Sequence, residues 1–252
     1  MEALVYRQPI AQHVVTSFGL MFDRPAVFVR IEDSAGEVGF GEVWCNFPSV
    51  GPEYRARLVN QVVGPAVVGD VCEDPRVVFE KLSGEMAVLA LQCGEQGPFS
   101  QAIAGIDIAL WDLAGQRAGA PLWRLLGGQS PTVPVYASGI NPDNSLAVVA
   151  RQLSAGHRAF KVKVGFGREK DIQNLRAVRN LIGDDLALCA DANQAWSLEE
   201  ALEMIGHLKP FNLTWLEEPL RADRPWSEWQ QVAAASSIPI AAGENLSGMS
   251  NF

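Results

Sequence analysis

From residue 133 onward, short apolar runs alternate with helical segments, and a polar or charged residue closes each run at nearly the same interval. Ser138, Lys163, Asp191, Glu217 and Glu244 stand 25, 28, 26 and 27 residues apart. A period in that range is one strand-plus-helix unit repeated along the chain. Strands are predicted at 133–137, 159–164, 186–190, 213–216 and 238–241, with helices at 145–153, 170–181, 197–208 and 226–235 between them. One helix per crossover implies a parallel sheet, either doubly wound or closed as a barrel. A doubly wound nucleotide fold needs a phosphate-cradling GxGxxG after its first strand, and none opens a helix in this sequence. A TIM-type (β/α) barrel is therefore the expected fold, and it gathers the C-terminal ends of its strands at one mouth.

The first half reads differently. Residues 26–32 and 38–43 alternate as strands around Asp33-Ser34-Ala35-Gly36, which predicts a hairpin. From Glu53 to Gly127 the pattern is helical. Its densest stretch, 101–115, spaces Ile103, Ile106, Leu110 and Leu113 three or four apart among small Ala and Gly residues that permit close packing. The expected division is thus an α+β domain over residues 1–127 and a partial barrel over 128–252. With a repeat of about 27 residues, the second part accommodates five strand–helix units. An eight-strand barrel would need about three more, so the chain is expected to be a truncated form of a longer enzyme, or to have its gap covered by something else.

Composition removes several classes of function. The 252 residues carry 20 Lys+Arg against 29 Asp+Glu, a net charge of −9, with no run of basic residues to meet phosphates, so no nucleic-acid partner is expected. Charges and prolines interrupt every apolar stretch short of the roughly 18 residues that span a bilayer, and Met1 to Ile10 lacks a signal-peptide core. Four cysteines lie far apart without a CxxC pair, which argues against a zinc site or disulfide framework. A reduced, cytoplasmic protein without a membrane partner is the expectation.

Three of the repeating residues are carboxylates. Asp191, Glu217 and Glu244 end successive strands, and like charges at one mouth repel unless a cation sits among them. Oxygen-only donors suit a hard divalent ion, Mg²⁺ first and Mn²⁺ second. The second strand reads Phe160-Lys161-Val162-Lys163-Val164, so both lysines share one face and the apolar residues the other. Inward-facing ammonium groups are tolerable only with carboxylate partners. A second cation and partial desolvation both disfavour the charged form of a lysine, which would equip Lys163 to take a proton from carbon. The metal would hold the substrate carboxylate and offset the charge of the enediolate, making the predicted reaction proton abstraction alpha to a carboxylate.

At these residues the sequence resembles the mandelate racemase/muconate lactonizing enzyme family of the enolase superfamily, a superfamily described as pairing a Lys or His base with Mg²⁺. Residues 102–116 with Pro121-Leu122 and Leu125-Leu126-Gly127 are similar to its first motif. Residues 188–193 with Leu216-Glu217-Glu218-Pro219 are similar to its second. The resemblance implies Asp191, Glu217 and Glu244 as metal ligands, Lys163 as base, and Lys161 as the lysine that tunes it or touches the substrate carboxylate. It implies a capping role for the N-terminal domain and substrate contacts from Asn193, Trp44 and Phe18, the last two in the stretches 16–22 and 44–47. Glu218 is not an expected ligand.

Glu as third ligand is similar to the racemase and acid-sugar dehydratase branch. That branch sets a His–Asp pair opposite the lysine, whereas the histidines here are His13, His157 and His207, none at a predicted strand end. The implied activity is racemisation, epimerisation or dehydration of a hydroxy or sugar acid. The alternative is a catalytically incompetent fragment that binds metal without the opposing acid/base. The family's symmetric assemblies imply a homo-oligomer acting on a small carboxylate substrate.

Overall fold

The computed structural model describes residues 1–16, 19–246 and 248. Two compact units divide between Thr132 and Val133, a few residues beyond the expected boundary at 127/128.

The N-terminal unit opens with three antiparallel strands in the order β1 (Glu2–Thr16), β2 (Gly19–Glu32) and β3 (Val38–Val43). The hairpin between β2 and β3 falls where the alternation placed it, in a register from Val27↔Val43 to Glu32↔Val38. Its turn is held by Asp33, whose Oδ1 accepts from the backbone N–H of Ala35 and of Glu37, each at 2.9 Å. Helices α1 (Gly51–Leu58), α2 (Pro75–Cys93), α3 (Gln96–Ala118) and α4 (Leu122–Leu125) follow. Asp74 caps the start of α2, and Gly94, left-handed at φ +68°, ends it.

Small residues let α3 settle directly onto β3. A Cβ added at Gly41 would stand 2.0 Å from the carbonyl oxygen of Gly105, and one at Gly105 would stand 2.3 Å from Val43 Cγ2. No side chain fits in either place, and the apolar face of α3 (Ala102, Ile103, Ile106, Ala109) is buried with Val27, Val29 and Val43.

The second unit is a five-stranded parallel sheet in simple sequential order. Its elements are β4 (Ala137–Ile140), α5 (Ser145–Ser154), β5 (Ala159–Lys163), α6 (Arg168–Ile182), β6 (Ala187–Asp191), α7 (Leu198–Leu208), β7 (Leu216–Glu217), α8 (Trp226–Ala235) and β8 (Ile240–Ala241). Each crossover is one helix, as the repeat requires. A capping box between Ser197 and Glu200 starts α7.

Two expectations need correction. The first strand of this sheet is not 133–137 but 137–140, so Ser138 lies inside β4 rather than after it. Pro134 has no N–H to give a ladder, and Val133 is 76% exposed. The last two strands are also shorter than 213–216 and 238–241. Pro239 cannot donate, although its carbonyl still accepts from Leu216 N at 2.9 Å. Phe160, Val162, Leu188 and Leu216 form the core beneath the helices with Leu175, Val178 and Leu208.

Candidate active site

Register does most of the assembly. Lys163 pairs with Asp191 across β5 and β6, and Asp191 with Glu217 across β6 and β7, so three ionisable residues stand side by side at the ends of three neighbouring strands. Lys161, two residues back on β5, leaves the same face as Lys163, while Phe160 and Val162 are fully buried on the other.

Inside that row every charge has a partner. Lys161 Nζ lies 2.7 Å from Glu217 Oε1 and 3.2 Å from Asp191 Oδ2, and Lys163 Nζ lies 2.6 Å from the same Asp191 oxygen. Asp191 Oδ1 accepts from the backbone N–H of Asn193 at 2.9 Å, and Glu217 Oε2 accepts from the indole N–H of Trp215 at 3.1 Å. The side chains of Asp191 and Lys161 are only 1% and 9% exposed, so two ammonium and two carboxylate groups neutralise one another in a largely dry setting. Burial works against the charge on Lys161. Its hydrogen bond to Glu217 and the charges of Asp191 and Glu217 outweigh that effect and hold its pKa above the ordinary lysine value. Lys161 is therefore the fixed positive charge of the pair. Beside it on β6, Cys189 is buried, which pushes its thiol up to about 11 and keeps it protonated at neutral pH.

The turns after β6 and β7 are tightly shaped. Asn193, Gln194 and Glu218 all take left-handed φ, at +44°, +65° and +42°, a region that non-glycine residues seldom occupy. Gln194 N donates to Glu218 O at 2.8 Å, locking one turn to the next. Glu218 is buried, and its carboxylate accepts from Asn245 Nδ2 at 3.1 and 3.3 Å. Burial raises its pKa, with the neighbouring carboxylates acting in the same sense.

Glu244 occupies the turn after β8, where it is exposed. With Glu217, Trp215, Ala241 and Ala242 it lines a pocket of about 370 Å³. Among the described residues no three Asp, Glu, His or Cys side chains form a group that could hold a metal ion. The ammonium of Lys161 is the cation that bridges Asp191 and Glu217 in this arrangement. The donors are nevertheless all carboxylate oxygens, two of them already gathered around a positive charge, and this chemistry fits a hard divalent ion.

Residues 1–127 match the N-terminal domain of mandelate racemase/muconate lactonizing enzymes, and residues 145–252 match the enolase C-terminal domain-like family. The chain belongs to the mandelate racemase/muconate lactonizing enzyme family. Within that family it is 35% identical over 98% of its length to 3,6-anhydro-alpha-L-galactonate cycloisomerase of Streptomyces coelicolor, of which it covers 68%. It is 40% identical over 69% of its length to L-talarate/galactarate dehydratase of Salmonella typhimurium, covering 45% of that protein. A mandelate racemase/muconate lactonizing enzyme from Bordetella bronchiseptica superposes with a TM-score of 0.92 at 52% identity, over 99% of this chain and 66% of the other. A racemase from Streptomyces coelicolor with bound magnesium does so with a TM-score of 0.91 at 33% identity, over 99% and 70%. The chain spans about two thirds of the length of these family structures.

Of the residues singled out in the sequence, Lys161, Lys163, Asp191 and Glu217 come together through direct ion pairs, Asn193 joins them through its backbone, and Glu244 shares the pocket of Glu217. Trp44 follows β3 in the N-terminal unit and is half exposed, and Phe18 lies outside the described residues. His13 stacks edge-on against Phe22, His157 precedes β5, and His207 on α7 faces Glu203. Sequence reasoning singles out neither Trp215 nor Tyr136 as a site residue, although counting back two residues from Glu217, as from Lys163 to Lys161, arrives at Trp215. No helix among the described residues is long and apolar enough to cross a membrane.

Proposed function

We propose that this chain acts in Mg²⁺-dependent abstraction of a proton alpha to a carboxylate, leading through an enediolate to racemisation, epimerisation or dehydration of a hydroxy or sugar acid. The observation that carries the reading is the row Lys163, Asp191, Glu217 on three adjacent strand ends, with Lys161 tying the two carboxylates together. The acid-sugar names of the relatives support the substrate class, and magnesium in a neighbouring structure supports the metal.

Asp191, Glu217 and Glu244 would hold Mg²⁺, with Mn²⁺ as second choice, and the bound ion supplies a Lewis acid for the substrate carboxylate and for the negative charge that develops on it. Lys163 is the more open of the two lysines, its side chain 22% exposed against 9% for Lys161, which suits it to reach a substrate carbon and, in its neutral amine form, accept a proton at Nζ. Lys161 keeps positive charge beside that position and attracts the anionic substrate. Asn193 stands at the edge of the site on a turn fixed by its own backbone bond to Asp191, where its side chain can meet the substrate. Trp44 and Phe18 are proposed as substrate-choosing positions of the capping domain, residues 1–127. The reading extends to a cytoplasmic homo-oligomer without nucleic-acid partners, which the net charge of −9 supports in its last part.

Incubation with a panel of hydroxy and sugar acids in D₂O with Mg²⁺ tests the proposal by following deuterium at the alpha carbon. Exchange is expected and should fall by at least about 10³-fold in Lys163→Met, in line with loss of a general base. Mg²⁺ binding measured by calorimetry without exchange of any acid would instead identify a chain that holds metal and does not turn over.

A further inference from the structure

Trp215 lies two residues before Glu217, so the two side chains leave one face of the strand. Its indole N–H donates to Glu217 Oε2 at 3.1 Å, while Glu217 Oε1 takes the Lys161 ammonium at 2.7 Å. The indole meets the ring of Tyr136 edge-on, with centroids 5.4 Å apart and planes at 73°. Tyr136 in turn presents its ring to Lys161, whose Nζ stands 5.4 Å from the ring centroid. The contacts close a circuit through Lys161, Glu217, Trp215 and Tyr136, four residues drawn from β5, from β7 and the position just before it, and from the position just before β4.

We infer that Trp215 is a positioning residue for Glu217, with Tyr136 as its brace. The terminal torsion of a glutamate is broad, so the direction of its two oxygens is set by the groups they bind. Here one is held by a charge and the other by a directional N–H donor whose own plane is fixed by an aromatic edge contact. Trp215 also lines the pocket shared by Glu217 and Glu244, so the donor stands beside the space a cation would enter. The inference rests on the Mg²⁺ reading above and deepens it by naming residues that act through a ligand and not on the ion. Such outer partners orient ligands, and their loss typically lowers metal affinity about 10- to 100-fold.

The test compares Trp215→Phe, which keeps an aromatic ring and deletes the donor, with Tyr136→Phe, which keeps the brace. Calorimetric Mg²⁺ affinity is expected to fall about 10-fold in Trp215→Phe and to stay within about 2-fold in Tyr136→Phe, with the melting temperature of both close to that of the unsubstituted protein. An unchanged affinity in Trp215→Phe overturns the inference. A second measurement does not depend on that variant folding: among the indole N–H signals of the seven tryptophans, one is expected to move both on adding Mg²⁺ and in Glu217→Gln. Indole signals indifferent to Glu217→Gln overturn the inference whatever the metal does. Failure of the unsubstituted chain to bind Mg²⁺ overturns the metal reading, and with it this use of Trp215.

Discussion

The two units of this protein handle close approach in opposite ways. In the N-terminal unit the tight contact is made by backbone against backbone, where Gly41 and Gly105 bring β3 and α3 together with no room for a single methyl group. Its ion pairs, such as Asp33–Arg117 and Arg7–Glu53, lie at the surface. In the second unit the tight contacts at the strand ends are ionic. Lys161, Lys163, Asp191 and Glu217 lie at the end of a sheet whose other face is fully apolar. Omitting side chains allows a helix to dock but provides no reactive group. Pressing opposite charges together at strand ends provides reactive groups whose removal leaves unpaired charge behind.

The largest effect is expected where that second device is broken. Lys161→Met takes the shared cation from Asp191 and Glu217, and unfolding in urea should show a loss of about 3–5 kcal/mol, the range for removing one partner of a buried pair. Added Mg²⁺ should restore part of it by binding the folded form, and no recovery would argue against the carboxylates as ligands. Next comes Gly41→Ala in the other unit, where the added carbon would stand 2.0 Å from a carbonyl oxygen. A loss of about 2–3 kcal/mol is expected from overpacking, with Mg²⁺ affinity unaltered, because the substitution leaves the second sheet alone.

Smallest is Asp33→Asn at the hairpin turn. The hydrogen bond from Arg117 holds the Asp33 carboxyl below the ordinary aspartate range, with backbone bonds from Glu37 and Ala35 adding to this. A depressed carboxylate stabilises the folded form above its unfolded-state pKa and loses that contribution as pH falls through its folded value. The melting temperature of Asp33→Asn should thus be slightly lower at pH 7, with the gap closing below about pH 4. A gap that persists in acid would assign the effect to the turn's geometry and not to charge.

Much of this contrast is visible in the sequence. Alternation fixes which face of β5 carries the lysines, and the period of about 27 residues brings Lys163, Asp191 and Glu217 into one row, because each repeat returns the chain to the same end of the sheet. Small residues at 102–115 announce a helix that packs closely. Less legible is anything that depends on main-chain hydrogen bonding around proline: the first barrel strand is displaced past Pro134, and the last starts only after Pro239, which has no N–H to donate. Trp215 and Tyr136 were hidden for another reason. Aromatic residues beside apolar strands read as packing, and only the side-chain distances show one donating to a carboxylate and the other facing an ammonium.

The bond between Glu218 and Asn245 has a consequence for motion. These residues follow Glu217 and Glu244 directly, so a side-chain link spanning 27 residues joins the turns that bear the two carboxylates. Neither turn can swing out alone without stranding a buried carboxylate. Their fluctuations should be concerted, and amide hydrogens in the two turns should exchange with solvent at matching rates, as one opening unit with a common clock.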